Sequence, residues 1–259
     1  MKFVVLVKQV PDTGEVRKLD LQTGLLDRAA SELIPDEITE RALECALRVK
    51  DADNSTEVVA LSVGPEESEK SVRRLLAMGA DRGVHIVDGS LAGADMLQTA
   101  KVIAAAIQQE GFDIVLAGNQ STDGRGGMIP SMVAELLGVP GMPDLDAFEV
   151  SDGTVRGSLR TTEGDVRLAA PVPAVAAVTE RAAEARFPTF KGIMSAKKKT
   201  VDKLSLADLG IQAGPAYAPV RSVMVSAVTA PPKQTGITVV DDGSAAAQLA
   251  EFLESKHLL

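Results

Sequence analysis

The chain is predicted to be an α/β protein on a largely parallel sheet, and three observations carry that expectation. Short apolar runs of strand length alternate with amphipathic stretches of helix length through the first half of the 259 residues. Asp113–Gly138, reading DIVLAGNQSTDGRGGMIPSMVAELLG, joins an apolar run to a glycine-rich loop and then to a helix start. Hydrophobic residues make up 45% of the chain and aromatic residues only 3%, so the core must be built from Val, Leu, Ile and Ala.

Taken in order, Phe3–Val7 reads as the first strand and Lys8–Asp12 as a turn containing Pro11. Glu15–Ser31 is polar and suits a loose hairpin. Asp36 can cap a helix running to about Val49, with Ile38, Ala42, Cys45, Ala46 and Val49 on one face. That apolar setting makes Cys45 a core residue rather than a reactive thiol. Glu57–Val63 is the second strand. Pro65, Glu66 and Glu67 then form a helix start that suits the dipole, and Gly79 stops that helix. Gly83–Val87 is a third strand, Met96–Ile107 carries the next apolar stripe, and Asp113–Ala117 is the fourth strand. Pro130 fits the first turn of the helix that Gly138 ends.

From about Asp146 the pattern changes. Ala147–Val150, Thr154–Thr161 and Asp165–Ala169 read as antiparallel strands turning at Asp152-Gly153 and Glu163-Gly164, and Ala174–Thr179 as a last apolar strand. No long linker intervenes, so one mixed-sheet domain is expected. Leu204–Ile211 reads as a short helix, Ala213–Pro219 as loop, Arg221–Val228 as an alternating strand, and a final helix starts near Ser244.

In such sheets ligands sit beyond the carboxyl ends of the strands. Lys8–Asp12, Gly64–Pro65 and Gly118–Gly127 all fall there. Glycines at 118, 124, 126 and 127 allow close backbone approach, and loop amides with a helix N-terminus suit a phosphate or carboxylate. A surface loop without a ligand fits the same local residues. Neither an NTP-hydrolysing P-loop nor G-x-G-x-x-G is present, since Ile129 stands where the last glycine would be. A net charge of −9 disfavours nucleic acid or an anionic membrane as the main partner. Cys45 is the single cysteine, which excludes an internal disulfide and suits a reducing compartment. With only His85 and His257, a histidine-based metal site is not expected. No signal peptide or spanning segment is evident, and a cytoplasmic location is expected.

Arg181–Val201 departs from all of this. It places Phe187, Phe190, Ile193 and Met194 around Pro188 and Gly192, followed by Lys197, Lys198 and Lys199. Exposed apolar anchors rimmed by charge mark an interaction surface. A loop tucked onto the core beside a solvated lysine run is the alternative.

Several segments together resemble the β subunits of electron transfer flavoproteins, in an actinobacterial-like bacterial form. They are Val7-Lys8-Gln9-Val10, Glu44–Lys50, Ser62-Val63-Gly64-Pro65, Leu76–Arg82, Ala117–Gly124 and, most specifically, Arg186–Met194 with Ala196–Lys199. The resemblance spans nearly the whole chain. It implies an α/β, Rossmann-like parallel (mixed) sheet with helices on both faces, adenine-nucleotide-binding, plus an extended C-terminal arm. Residues 1–200 would form the nucleotide-binding domain, including a partner-docking loop at 184–200. Residues 201–259 would be the arm, packing on the partner subunit.

It further implies a heterodimer without catalytic residues in this chain. The α subunit would hold the redox FAD and this subunit a structural AMP. Electrons would come from acyl-CoA and related dehydrogenases and pass to a membrane-bound quinone oxidoreductase, with no direct membrane insertion. By matched position, the AMP site would comprise Leu6, Asp36, Glu37, Ile38, Thr39, Val63, Gly118, Asn119, Gln120, Ser121, Thr122, Asp123, Gly124, Arg125, Gly126, Gly127, Met128 and Ile129. Thr13 and Ile38 would lie near the partner's flavin. Phe187, Phe190, Ile193, Met194 and Lys197–Lys199 would dock the dehydrogenase.

The chain departs from the family's pattern in places. Asp36-Glu37 replaces a frequent Asn-Pro, so Asp36 would use backbone atoms or face the ribose or base. Arg125–Ile129 replaces polar residues, leaving backbone amides and Arg125 to hold the phosphate. Phe190 stands where several members have Leu. Other readings are a bifurcating form with a second FAD in the pocket, an ATP-using enzyme of similar fold, and a stand-alone nucleotide-binding module.

Overall fold

The computed structural model describes residues 1–212, 224–233 and 236–259. In chain order the elements are β1 (Lys2–Val7), β2 (Gln9–Pro11), β3 (Leu33–Pro35), α1 (Glu37–Ala52), β4 (Glu57–Val63), α2 (Glu69–Met78), β5 (Arg82–Ile86), α3 (Met96–Glu110), β6 (Ile114–Gly118) and α4 (Ile129–Leu137). After these come β7 (Gly141–Leu145), β8 (Ala147–Ser151), β9 (Thr154–Thr161), β10 (Gly164–Pro171), β11 (Ala174–Val178), α5 (Phe190–Ala196), β12 (Val201–Leu204) and α6 (Ala245–Ser255).

Seven strands form the main sheet in the order β12-β5-β4-β1-β6-β11-β7. Every pair in it is parallel. Successive side chains of β1 point to opposite faces, as a pleated strand requires. Phe3 and Val5 enter one core with Ala42, Leu43, Leu75 and Leu76 of α1 and α2. Val4 and Leu6 enter the other with Ile103, Ile107 and Val133 of α3 and α4. Helices therefore cover both faces, the Rossmann-like arrangement expected. Progress along the sheet reverses between β1 and β6, which makes their carboxyl ends the switch-point crevice.

The structure differs from the sequence reading in several elements. The antiparallel strands β8, β9 and β10 form, but as a separate three-stranded sheet, so the main sheet is not mixed. The segment read as a turn at Lys8–Asp12 contains β2, which pairs antiparallel with β3. The edge strands β7 and β12 were not expected. Pro143 within β7 is tolerated because an edge strand needs only one side of its ladder. Leu204–Ile211, read as a helix, holds the end of β12 and a single 3-10 turn at Ala207–Leu209. The loop expected at 213–219 lies outside the described residues, as do 221–223 of the expected strand, and 224–228 form no strand. The final helix forms as α6, with none of its residues buried. Among the described residues, no helix is long and apolar enough to cross a membrane.

At the amino ends of the strands, Glu110 accepts from Arg82 and Lys2. Burial pushes the Glu110 carboxyl up, but the Arg82 and Lys2 hydrogen bonds and charges outweigh it and hold it below its usual range. A carboxyl depressed on folding contributes stability above its unfolded pKa, about 4.3, and loses it as pH falls through the folded value. Glu110→Gln should lower stability near pH 7 by about 1 kcal/mol. That deficit should shrink towards zero as melting is repeated at pH values from 5 downwards; a deficit independent of pH would refute the assignment.

Candidate functional site

The carboxyl ends of β1, β4, β5 and β6 open into a cavity of about 890 Å3. The glycine-rich loop after β6 forms one wall. Asp36 sets its position. As N-cap of α1, its Oδ1 accepts from the Ile38 amide at 3.0 Å. Its Oδ2 accepts from the Thr122 amide at 2.6 Å and the Thr122 hydroxyl at 2.9 Å. At 1% exposure, this carboxylate is consumed by the protein itself.

The loop is closed by further bonds. The Arg125 amide donates to Ser121 O at 2.9 Å. Lys8 Nζ donates to Asp123 Oδ1 at 2.7 Å and to Ser121 Oγ at 3.0 Å. Burial pushes the Asp123 carboxyl up, but the Lys8 hydrogen bond and charge outweigh it, and the group stays depressed and ionised. Arg28 reaches the same carboxylate at 4.0 Å. Gly127 turns the chain into α4 with φ at +65°, a conformation only glycine adopts freely.

Opposite this wall, Ser68 Oγ donates to Pro65 O at 2.7 Å and lies 2.8 Å from His85 Nε2. Burial pushes the His85 imidazole down, so it is neutral at pH 7 and pins the Gly64–Pro65 turn without adding charge.

Of the residues matched to a nucleotide site, twelve line the cavity: Leu6, Asp36, Thr39, Val63, Gly118, Asn119, Gln120, Ser121, Gly124, Gly126, Gly127 and Ile129. The other six do not. Glu37 accepts from Thr13 Oγ1 at 2.9 Å. Ile38 packs beneath Gly118. Thr122 and Asp123 are turned to Asp36 and Lys8, while Arg125 and Met128 stand clear of the lining. Lys8, from the first of the carboxyl-end loops, lines the cavity as expected; the sequence reading missed Arg28, Leu25 and Leu26, and the segment from Val87 to Met96. The last follows β5, so the carboxyl-end rule could have found it. Leu25 and Leu26 arrive because Arg17 donates to Thr122 O and Arg28 to Gln9 O, folding residues 15–31 over the mouth.

The segment read as a docking loop carries α5. Thr189 caps it, its Oγ1 accepting from the Gly192 amide at 3.0 Å. Phe187 and Phe190 are 85% and 81% exposed, with Ile193 and Met194 about half exposed. A Cβ at Gly192 would stand 2.2 Å from Ala77 O, so glycine is what lets α5 lie against α2. The lysine run divides. Lys197 and Lys198 are exposed, whereas half-buried Lys199 donates to Leu76 O at 3.0 Å and Ala80 O at 2.6 Å. Burial pushes its ammonium pKa down. Lys199 thus caps the carboxyl end of α2 and is not available to a partner.

Comparison with known proteins gives a consistent picture. The family described as the electron transfer flavoprotein domain matches residues 23–209. The chain is 41% identical to the electron transfer flavoprotein subunit beta of Mycobacterium tuberculosis (strain ATCC 25618 / H37Rv), over 99% of both chains. It is 32% identical to the protein of that description from Megasphaera elsdenii, over 98% of this chain and 97% of the other. It is 30% identical to the Caffeyl-CoA reductase-Etf complex subunit CarD of Acetobacterium woodii, over 100% of each.

The division of the lysine run has a direct check. Lys199→Ala should lower thermal stability by about 1.5–2 kcal/mol, the value of a half-buried charged donor. Lys197→Ala and Lys198→Ala should stay within about 0.5 kcal/mol of wild type. Equal losses at all three positions would contradict the division.

Proposed function

The chain belongs to the electron transfer flavoprotein β-subunit family, and we propose that it acts as the nucleotide-holding, dehydrogenase-docking half of a heterodimeric electron carrier. The observation that carries this reading is the glycine-loop wall of the cavity, placed at the sheet's switch point with Lys8 and Arg28 at its mouth. That is the chemistry a nucleotide phosphate needs: backbone amides at a helix start, room for close approach, and cationic side chains. Asp36 offers no obstacle, since its charge is met by Thr122 and Ile38.

In this reading the occupant is AMP with a structural role. The backbone at Gly124, Gly126 and Gly127 would hold the phosphate, assisted by Lys8 and Arg28. Leu6, Val63 and Ile129 would form apolar walls for the rest of the nucleotide. An α subunit would hold the FAD, which supplies the electron-carrying chemistry when bound. This chain would contribute no catalytic residue. Phe187 and Phe190 would dock acyl-CoA or related dehydrogenases, electrons would leave to a membrane-bound quinone oxidoreductase, and α6 would pack on the α subunit.

A second reading places FAD in the cavity, as in a bifurcating assembly. It is favoured by the size of the cavity, about 890 Å3, near the top of the usual ligand range of about 300–1,000 Å3. Denaturing the purified heterodimer and separating the released nucleotides distinguishes the two. Equal AMP and FAD supports the first reading; FAD in twofold amount without AMP supports the second.

Two substitutions test the parts separately. Gly127→Val forces a β-branched residue to φ +65° and should strip the nucleotide. Losing a ligand present at a hundredfold excess over its Kd should cost about 2.7 kcal/mol of apparent stability, with flavin content retained. Full nucleotide content in that variant would remove the loop from the site. Phe190→Ala removes an exposed anchor and should weaken productive encounter with a dehydrogenase about thirtyfold while leaving folding and both nucleotides unchanged. Wild-type transfer rates at limiting concentration would contradict the docking assignment.

A further inference from the structure

Between β11 and α5 the chain crosses from Thr179 to Thr189 without regular structure, yet it carries the exposed Phe187 and leads into the exposed Phe190 that opens α5. What holds so irregular a segment in one place is a carboxylate on another element. Glu44 lies on the third turn of α1 and is only 5% exposed. It accepts from Arg186 Nε at 2.7 Å and Nη2 at 3.0 Å, a two-pronged pair, and from Arg48 Nε at 3.2 Å. Arg186 Nη2 also donates to Asp51 at 2.7 Å. One turn earlier on α1, Arg41 Nη1 donates to Ala183 O at 2.6 Å. Burial pushes the Glu44 carboxyl up, and the Arg186 bonds outweigh it, so the group is held ionised.

The far side of the segment is fixed independently. Arg73 Nη1 donates to Ala196 O at 3.2 Å and Lys199 O at 2.9 Å, Lys199 is inserted into the end of α2, and Gly192 abuts Ala77. Phe187 to Thr189 therefore span two anchorages, one on α1 and one on α2. Arg186, closed on Glu44, is the residue immediately before Phe187. Burying a carboxylate costs free energy that a hydrophobic pair would not. A planar guanidinium gripped at two points does fix direction as well as position.

We propose that Glu44 is a positioning residue, whose closure on Arg186 sets the direction in which residues 187–194 present Phe187 and Phe190 to the dehydrogenase. This rests on the docking reading above. Glu44 is buried within this chain, on α1 and not in the docking segment. Its effect passes through Arg186 to the aromatic side chains, and it should therefore act on encounter and not on electron transfer once docked.

The test uses the full heterodimer with a reduced dehydrogenase and the variants Glu44→Gln, Arg186→Lys, Phe190→Ala and the Glu44→Gln/Phe190→Ala pair. Melting, flavin content and nucleotide content are measured alongside. Glu44→Gln should raise KM for the heterodimer about tenfold with kcat unchanged, since small misplacements of docking groups carry penalties of that order or greater. The increase should persist at high ionic strength, because Glu44 is buried and its two bonds to Arg186 are direct. In the Phe190→Ala background the same change should add less than about twofold, the non-additivity expected of residues acting through one another. Arg186→Lys keeps the charge, loses the fork and should behave like Glu44→Gln, which covers the case in which Glu44→Gln fails to fold. An equal factor in both backgrounds, or an unchanged KM while Phe190→Ala raises it, overturns the proposal and leaves the docking reading standing. If Phe190→Ala itself leaves KM unchanged, the docking reading fails and the positioning role falls with it.

Discussion

The buried carboxylate of Asp36 is the constraint on which the strand-end architecture depends. With one oxygen it caps α1, and with the other it takes both donors of Thr122. The first bond orients the helix over one face of the sheet. The second brings the loop after β6 back to that helix start, so that Gly124, Gly126 and Gly127 line the cavity. Lys8 and Asp123 then close the loop against the end of β1. A loop rich in glycine carries a large conformational entropy when free. Side-chain tethers from Asp36, Lys8 and Arg17 are what make it a wall. The same acid that looked unfavourable beside a phosphate thus lines the cavity with both of its oxygens already bonded within the chain.

α1 contacts both irregular segments. Asp36 at its start orders the glycine loop, and Glu44 two turns later orders the segment ahead of α5. One helix thereby references both surfaces to the same rigid sheet. The glycine loop and the segment before α5 are both irregular, which is where binding groups are commonly found on α/β scaffolds. The exposed aromatic residues and the cavity are separate in chemistry but share this frame.

The fold was legible wherever hydrophobic period and punctuation agreed. Phe3–Val7, Glu57–Val63 and the strand–loop–helix at 113–138 stand within a residue or two of their expected bounds, and the helix after Asp36 starts as expected and runs on to Ala52. Edge strands were not legible. β7 holds Pro143 and β12 holds Asp202 and Lys203, because an edge needs neither a continuous apolar run nor every amide. The three loops at the carboxyl ends of β1, β4 and β6 do line the cavity, and the loop after β5 joins them because β5 runs parallel to β4 in the same sheet. The cover formed by residues 15–31 could not be read, since Arg17 and Arg28 hold it through main-chain carbonyls that leave no mark in composition. Lys197, Lys198 and Lys199 show the same limit. They are identical in sequence and differ only in what lies beside them.

The most direct test of this account is AMP binding by the nucleotide-stripped heterodimer, measured by calorimetry for wild type and Asp36→Asn, with hydrogen exchange followed across residues 119–128. Asparagine still caps a helix, so α1 should be retained. Its amide cannot supply a charged acceptor to both donors of Thr122. The account predicts at least about tenfold weaker binding, equivalent to about 1.4 kcal/mol, with faster exchange confined to the glycine loop and unchanged protection in β1, β4 and β6. Wild-type affinity together with a loosened loop, or wild-type protection of the loop itself, would contradict it.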